Sequence, residues 1–136
     1  MDFHNGKKPL KLLDRIIRTN KRKDIVVLDF FAGSGTTGEA VLRLNHSDGG
    51  NRKFILATYN REPEGKQNIV DDACYPRISN HILGINGREK LGGNLAFFSS
   101  AFVEKGRNDD QTRSNMLTRC EELICLREGT YDLNVS

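Results

Sequence analysis

The sequence predicts an α/β protein in which helices alternate with the strands of a parallel sheet. Apolar runs near residues 25–31, 53–59 and 94–98 have the length and the β-branched or aromatic content of buried strands. Between them, stretches near residues 36–45 and 67–83 have the length that a crossover helix needs. This alternation is typical of parallel strands with flanking helices.

One helix is predicted ahead of the first strand and another near the end of the chain. Pro9 suits the first turn of the first helix, because its fixed φ is compatible with that position. The apolar side chains expected on the buried stripe of this helix are Leu10, Leu13, Ile16 and Ile17. A final helix is predicted near residues 112–127. We therefore expect a single domain over residues 1–136, in which residues 107–136 form a polar link and a terminal helix.

The first strand leads into a glycine-rich corner that has the features of a ligand site. The strand ends at Asp29, and the chain then turns through Gly33 and Gly35 into a helix. Both glycines permit a positive φ and let a bound molecule approach bare backbone. Thr36 and Thr37 are expected to cap the helix, whose free N–H groups face the same crevice.

Three ligand chemistries compete for this corner. A P-loop requires a lysine directly after its last glycine, but Glu39 follows Gly38. The glycine spacing fits a dinucleotide fingerprint, which needs an acidic residue about 20 positions further on. Asp48 is near that spacing, yet it lies in a turn before the second strand rather than at its tip. The third ligand is S-adenosylmethionine, for which an acidic strand tip and a close-approach glycine turn suffice.

Composition limits the class of protein. The apolar content of 37% supports a modest core, and no apolar run is long enough to span a membrane. The three cysteines, Cys74, Cys120 and Cys125, lack paired-ligand spacing, so reduced thiols in a cytoplasmic protein are the simplest interpretation. The three histidines are scattered, and we expect them to be surface or packing residues rather than ligands. No metal site is therefore predicted.

Basic residues are concentrated at the start of the chain. Residues 1–24 carry eight lysines and arginines against three acidic residues. Such a segment can contact the phosphates of a DNA backbone, which provides affinity that does not depend on sequence. The candidates for this contact are Lys7, Lys11, Arg15 and Arg18. A solvated helix face with no DNA contact is the alternative.

The corner resembles a known cofactor motif. The stretch Asp29-Phe-Phe-Ala-Gly-Ser-Gly-Thr-Thr-Gly38 closely resembles the motif of the amino-group DNA methyltransferases, in which an Asp, an aromatic and a Gly-x-Gly turn hold S-adenosylmethionine. Residues 3–17, with Lys8 and Pro9, look like the Lys-Pro helix of the circularly permuted (β-class) members. Further similar segments are residues 51–60, 74–78, 92–98 and 123–128. Together they most resemble the C-terminal part of type III modification subunits, which are N6-adenine methyltransferases.

The resemblance implies a partial Rossmann-like methyltransferase fold that binds S-adenosylmethionine. It assigns Asp29 to the methionine amino end of the cofactor; the alternative is an aspartate that caps a helix or stabilises the turn. Phe30 and Phe31 are of a type more often found in the core, so we expect only one of them to contact the ligand. Lys8 and Pro9 match the Lys-Pro motif, whose preceding residues cover the cofactor in such enzymes.

The ribose ligand is less clear from the sequence. Many adenine methyltransferases place an acidic residue near the end of the second strand, where this chain has Thr58. Asn60 and Glu62 follow just beyond. Glu62 could turn back to bind the ribose, or Thr58 or Asn60 could donate neutral hydrogen bonds instead.

The catalytic motif of the resembled family is absent. An Asp/Asn-Pro-Pro-aromatic sequence does not occur, because the only prolines are Pro9, Pro63 and Pro76. In the permuted class this motif and the target-recognition region precede the Lys-Pro helix. We therefore expect a cofactor-binding portion without catalytic residues. Its partners would be double-stranded DNA and an upstream catalytic half or a restriction/modification subunit, and it could also associate with itself. The alternatives are a non-catalytic remnant, a DNA-binding module or, less favoured, an NAD-type domain.

Overall fold

The computed structural model describes residues 9–59, 68–100 and 102–128, and these residues form two compact units. The first unit belongs to Met1–Leu95 and contains the parallel sheet. The second belongs to Ala96–Ser136 and contains one long helix, α4 (Asp109–Glu128). Among the described residues, no helix is long and apolar enough to cross a membrane.

The elements of the first unit alternate as the sequence predicts. In chain order they are α1 (Leu10–Arg18), β1 (Val26–Asp29), α2 (Thr36–Asp48), β2 (Lys53–Leu56), a π-helical turn (Val70–Cys74) and α3 (Tyr75–Leu83). The strands are parallel, with Val26 opposite Lys53 and Asp29 opposite Leu56. Helix α2 is the crossover between them. The α/β class is thus confirmed, with shorter strands than expected.

The core lies between the helices and one face of the sheet. Its fully buried members come from α1 and α2, because the apolar stripe of each helix must be removed from water. They are Leu13, Ile17, Ala40, Val41 and Leu44, with Leu10, Ile25, Val27 and Phe54 packed against them. The predicted stripe of α1 is wrong at Ile16, which is 54% exposed.

The third predicted strand does not form. Among the described residues the sheet has only β1 and β2, and residues 94–98 are in irregular structure. The run Leu95-Ala-Phe-Phe98 has strand composition, but β propensity mainly reflects packing against neighbouring strands. Neither β1 nor β2 pairs with this segment, so composition alone did not make it a strand.

The second face of the sheet is exposed. Val26 and Leu28 of β1 are 56% and 49% exposed, and Ile55 of β2 is 55% exposed. Parallel sheets are usually covered on both faces, because their strands are apolar on both sides. This face of the two-stranded sheet is therefore apolar and exposed to solvent.

A partly buried ion pair holds the far end of α2 to the start of β2. Both terminal nitrogens of Arg52 donate to the Asp48 carboxylate, each at 2.9 Å, and Arg52 is buried. Asn45 accepts from the Arg52 backbone N–H at 3.0 Å and donates to its carbonyl at 2.8 Å. The hydrogen bonds from Arg52 are the main reason that the pKa of Asp48 is lowered to about 2.

This pair predicts a defined dependence of stability on pH. Because the folded-state pKa of Asp48 lies below the value of about 3.9 in an unfolded chain, its contribution is present above about pH 4 and is lost as the pH falls towards 2. In thermal melts followed by circular dichroism, the difference in Tm between the wild type and Asp48→Asn should be constant near neutral pH and shrink below about pH 4. A difference that is unchanged across this range would contradict the assignment.

Candidate functional site

The carboxyl ends of the two strands form one edge, and the glycine corner lies at this edge. The Asp29 carbonyl accepts from the Ala57 N–H at 2.9 Å, and the Ala57 carbonyl accepts from the Ala32 N–H at 3.1 Å. These bonds continue the pairing of the strands beyond their ends. Ligands of open α/β sheets bind at this edge.

The corner is built around two glycines in the left-handed region. Gly33 has φ 52° and Gly35 has φ 76°. Gly35 occupies the N-cap of α2, and its N–H donates to the Ala32 carbonyl at 2.9 Å. Capping by Thr36 and Thr37 is therefore wrong, because both residues are already inside the first helical turn.

Asp29 organises the corner through both carboxylate oxygens. Oδ1 accepts from the Phe31 backbone N–H at 3.1 Å, and Oδ2 accepts from the Thr37 hydroxyl at 2.5 Å. These bonds fit the turn-stabilising interpretation. They leave the negative charge of the carboxylate in place, and a cationic ligand group would pair with that charge.

A shallow depression of about 460 Å³ lies beside the corner. Its lining is mainly aromatic and small: Phe30, Phe31, Gly33, Ala57, Thr58 and Tyr59. Phe30 and Phe31 are 68% and 88% exposed, so neither lies in the core, and the contact of one of them with a ligand stays a prediction. Thr58 follows β2 and is half-buried, which brings the first ribose candidate to the same depression as Gly33.

Other predicted residues lie elsewhere or outside the described residues. The structure does not describe Lys7, Lys8, Asn60 and Glu62. Pro9 is the N-cap of α1, and its carbonyl accepts from the Leu12 N–H at 2.9 Å. Lys11 and Arg15 line a separate groove of about 310 Å³ between α1 and α2. Arg18 is paired with Asp14 at 3.1 Å.

Residues at the start of α3 support the corner from behind. A Cβ added to Gly35 would lie 2.9 Å from Sγ of Cys74, and one added to Gly38 would lie 2.7 Å from Cδ1 of Ile78. These glycines are therefore needed for close packing of α2 against α3. Burial raises the pKa of the Cys74 thiol, so this thiol stays protonated at neutral pH.

Behind the corner, Glu39 is the centre of a buried group of charges. Its carboxylate accepts from Nε of Arg43 and from Nη1 of Arg77, both at 2.9 Å. Nε2 of His81 lies 3.1 Å from Glu39 Oε1, close enough for an ion pair but not directed as a hydrogen bond. Burial alone would raise the pKa of Glu39, but the Arg43 hydrogen bond and the His81 and Arg77 charges outweigh it and lower that pKa.

The sequence pattern did not indicate Glu39, Arg77 or His81 as neighbours of the corner. Arg77 is 38 positions after Glu39 along the chain and His81 is one helical turn further, so only the packing of α3 on α2 brings them to Glu39. His81 is almost fully buried, which agrees with the expected packing histidine. Tyr59 lines the depression beside the corner but was not predicted as a site residue. Its position just past the end of β2 is the sequence signal that could have identified it.

An acidic strand tip and a glycine corner at the carboxyl edge of a parallel sheet are features with which α/β domains bind ligands. Comparison with known families identifies the family to which this domain belongs. A match to the DNA methylase family, of the N6/N4 methyltransferase type, spans residues 2–90, and the chain belongs to this family.

Similarity to curated proteins agrees with the family. The type III restriction-modification enzyme StyLTI Mod subunit of Salmonella typhimurium is 59% identical over 79 residues, which cover 53% of this chain and 12% of that protein. The EcoPI Mod subunit of Escherichia phage P1 is 54% identical over 50 residues, covering 37% and 8%. The type II methyltransferase M.KpnI of Klebsiella pneumoniae is 43% identical over 72 residues, covering 53% and 17%. The chain thus spans less than a fifth of each relative.

Proposed function

We propose that this chain is the S-adenosylmethionine-binding portion of a site-specific N6-adenine DNA methyltransferase of a type III restriction-modification system. The observation that carries the proposal is the corner at the carboxyl ends of both strands, where Asp29 ends β1 and Gly33 and Thr58 line one depression. Family membership and the type III Mod relatives support it.

The residues at the corner suit the proposed cofactor. A Cβ on Gly33 would lie 4.0 Å from its nearest described neighbours, so the glycine leaves room for a ligand against bare backbone. Asp29 supplies a negative charge for the methionine ammonium group. The exposed rings of Phe30 and Phe31 offer apolar surface to an adenosine. Thr58 can donate or accept one neutral hydrogen bond at the ribose, and Asn60 and Glu62 remain the alternatives.

S-adenosylmethionine held at this corner would supply the methyl group for the adenine amine; its S–CH3 bond would break, S-adenosylhomocysteine would leave, and one amine proton would pass to an acceptor. The part of this chain described here would orient the donor and provide no acceptor for the amine protons, because its sequence has no Asp/Asn-Pro-Pro-aromatic motif. A partner chain or segment with that motif completes the enzyme in this proposal. The exposed Lys11 and Arg15 could contact DNA phosphates, whereas Arg18 is already paired with Asp14.

A dinucleotide domain is the weaker alternative. The acid that its fingerprint needs would be Asp48, but this carboxylate is engaged by Arg52. Asp48 also ends α2 next to the amino end of β2, whereas the corner lies at the carboxyl ends of the strands. No acid near that spacing is therefore left for a ribose at the corner.

Calorimetric titration of the purified chain separates the two possibilities. We expect saturable one-to-one binding of S-adenosylmethionine and no binding of NAD at the same concentrations. Binding of NAD alone, or of neither compound by a chain that circular dichroism shows to be folded, would contradict the proposal.

A further inference from the structure

We propose that Glu39 is a positioning residue for the glycine corner, in that its carboxylate holds α3 in the place from which Cys74, directly before α3, supports Gly35. The proposal rests on the proposed function, because it assumes that the corner holds S-adenosylmethionine. It adds a residue outside the cofactor motif to the determinants of cofactor affinity.

The first step of the argument is the connection between α2 and α3. Glu39 lies in the first turn of α2, and its backbone N–H donates to the Gly35 carbonyl at 3.2 Å. Its carboxylate contacts Arg77 at 2.9 Å and His81 at 3.1 Å, both on α3. A single side chain therefore joins the helical turn that starts at the corner to a second helix. Since Glu39 and His81 are 5% and 1% exposed, solvent screens these contacts little.

The second step is the contact of α3 and the preceding turn with the corner. Cys74, directly before α3, packs so closely on Gly35 that a Cβ there would lie 2.9 Å from its sulfur. Gly33 is not packed in this way, because a Cβ added there would lie 4.0 Å from Cδ1 of Ile69. Because packed interiors transmit displacement, a shift of α3 and the Cys74 turn would change the backbone at Gly35, which begins α2 at the corner. Removal of the Glu39 charge frees α3 to make that shift.

Helix α2 also provides a matched control at its other end. Asp48 and Arg52 form a second ion pair, with two contacts of 2.9 Å, in which Arg52 is buried and Asp48 is half-buried. This pair joins α2 to the start of β2, away from the corner. Loss of either pair removes an ionic contact of the same helix, but only the Glu39 pair is connected to α3.

The test compares Glu39→Gln, Arg77→Gln and Asp48→Asn in the whole chain. Calorimetry gives the Kd of S-adenosylmethionine at a temperature where circular dichroism shows each variant to be folded. We expect Glu39→Gln and Arg77→Gln to raise the Kd by about tenfold or more, and Asp48→Asn to leave it within about twofold. Because Arg77→Gln leaves Glu39 paired with Arg43, it serves if Glu39→Gln does not fold.

A double variant and hydrogen exchange complete the design. Glu39→Gln combined with Arg77→Gln should raise the Kd by less than the product of the two single effects, because both remove one contact. Exchange of the Gly35 amide, which donates to Ala32, should accelerate in Glu39→Gln and not in Asp48→Asn.

The possible results separate this proposal from the proposed function. An unchanged Kd in both Glu39→Gln and Arg77→Gln would overturn the positioning role. An equal rise of the Kd in Asp48→Asn would also overturn it. If the wild type binds no S-adenosylmethionine, the proposed function fails, and the exchange measurement alone then decides whether Glu39 holds the corner. Equal exchange at Gly35 in all variants would reject that as well.

Discussion

Replacement of Asp29 by alanine, or of Gly33 by valine, is expected to abolish detectable binding of S-adenosylmethionine. Asp29→Ala removes the charge proposed to face the ammonium group and also removes the acceptors of the Phe31 amide and the Thr37 hydroxyl. A hydrogen bond to a charged group contributes about 1.5–3 kcal/mol, which alone corresponds to roughly 10- to 100-fold in Kd. Gly33→Val places a branched side chain in the space proposed for the ligand, at φ 52°. Titration calorimetry measures both effects.

Two controls distinguish loss of ligand contacts from loss of the local backbone. Asp29→Asn keeps an oxygen that can accept from the Phe31 amide but removes the charge, so we expect it to weaken binding while the corner persists. Gly49→Val introduces comparable strain, since Gly49 has φ 66°, and its added Cβ meets no described atom within 4 Å. Unchanged affinity in Asp29→Ala with circular dichroism preserved, or equal loss in Gly49→Val, would remove the site assignment.

The local features of the corner could be predicted because a few adjacent residues determine them. Gly33 and Gly35 do adopt positive φ, and Asp29 does end the first strand. Capping by Thr37 could not be excluded from sequence, because a threonine near a helix start serves equally as a cap or as a donor to another side chain. In the structure the Thr37 hydroxyl donates to the carboxylate of Asp29, which lies eight residues earlier in the chain.

Features that depend on distant partners could not be predicted in the same way. The run Leu95-Ala-Phe-Phe98 has the composition of a strand, but a strand exists only when a neighbour pairs with it. Similarly, the only inference drawn from Glu39 in the sequence was that the corner is not a P-loop. Its buried contacts with Arg77 and His81 arise from the packing of α2 on α3, which no local pattern encodes.

The purified chain is expected to transfer no methyl group to DNA by itself. Positioning of a flipped adenine requires acceptors for its amine protons and a stacking aromatic, and the Asp/Asn-Pro-Pro-aromatic motif that provides them is absent from the sequence. A donor held without an aligned nucleophile loses the large advantage of proximity, which can reach about 7–11 kcal/mol. Binding of S-adenosylmethionine should therefore be measurable where catalysis is not. Transfer of tritium from the labelled cofactor to mixed-sequence duplex DNA is the measurement.

The same assay contains its own control, because a partner that carries the motif should restore transfer. We expect activity when a polypeptide with an Asp-Pro-Pro-aromatic motif and a target-recognition region from a type III modification subunit is added to this chain. That activity should require Asp29, since the partner would use the donor held at this corner. Incorporation above background by the chain alone would show that it contains acceptor groups of another kind, and the proposed division of labour would then be wrong.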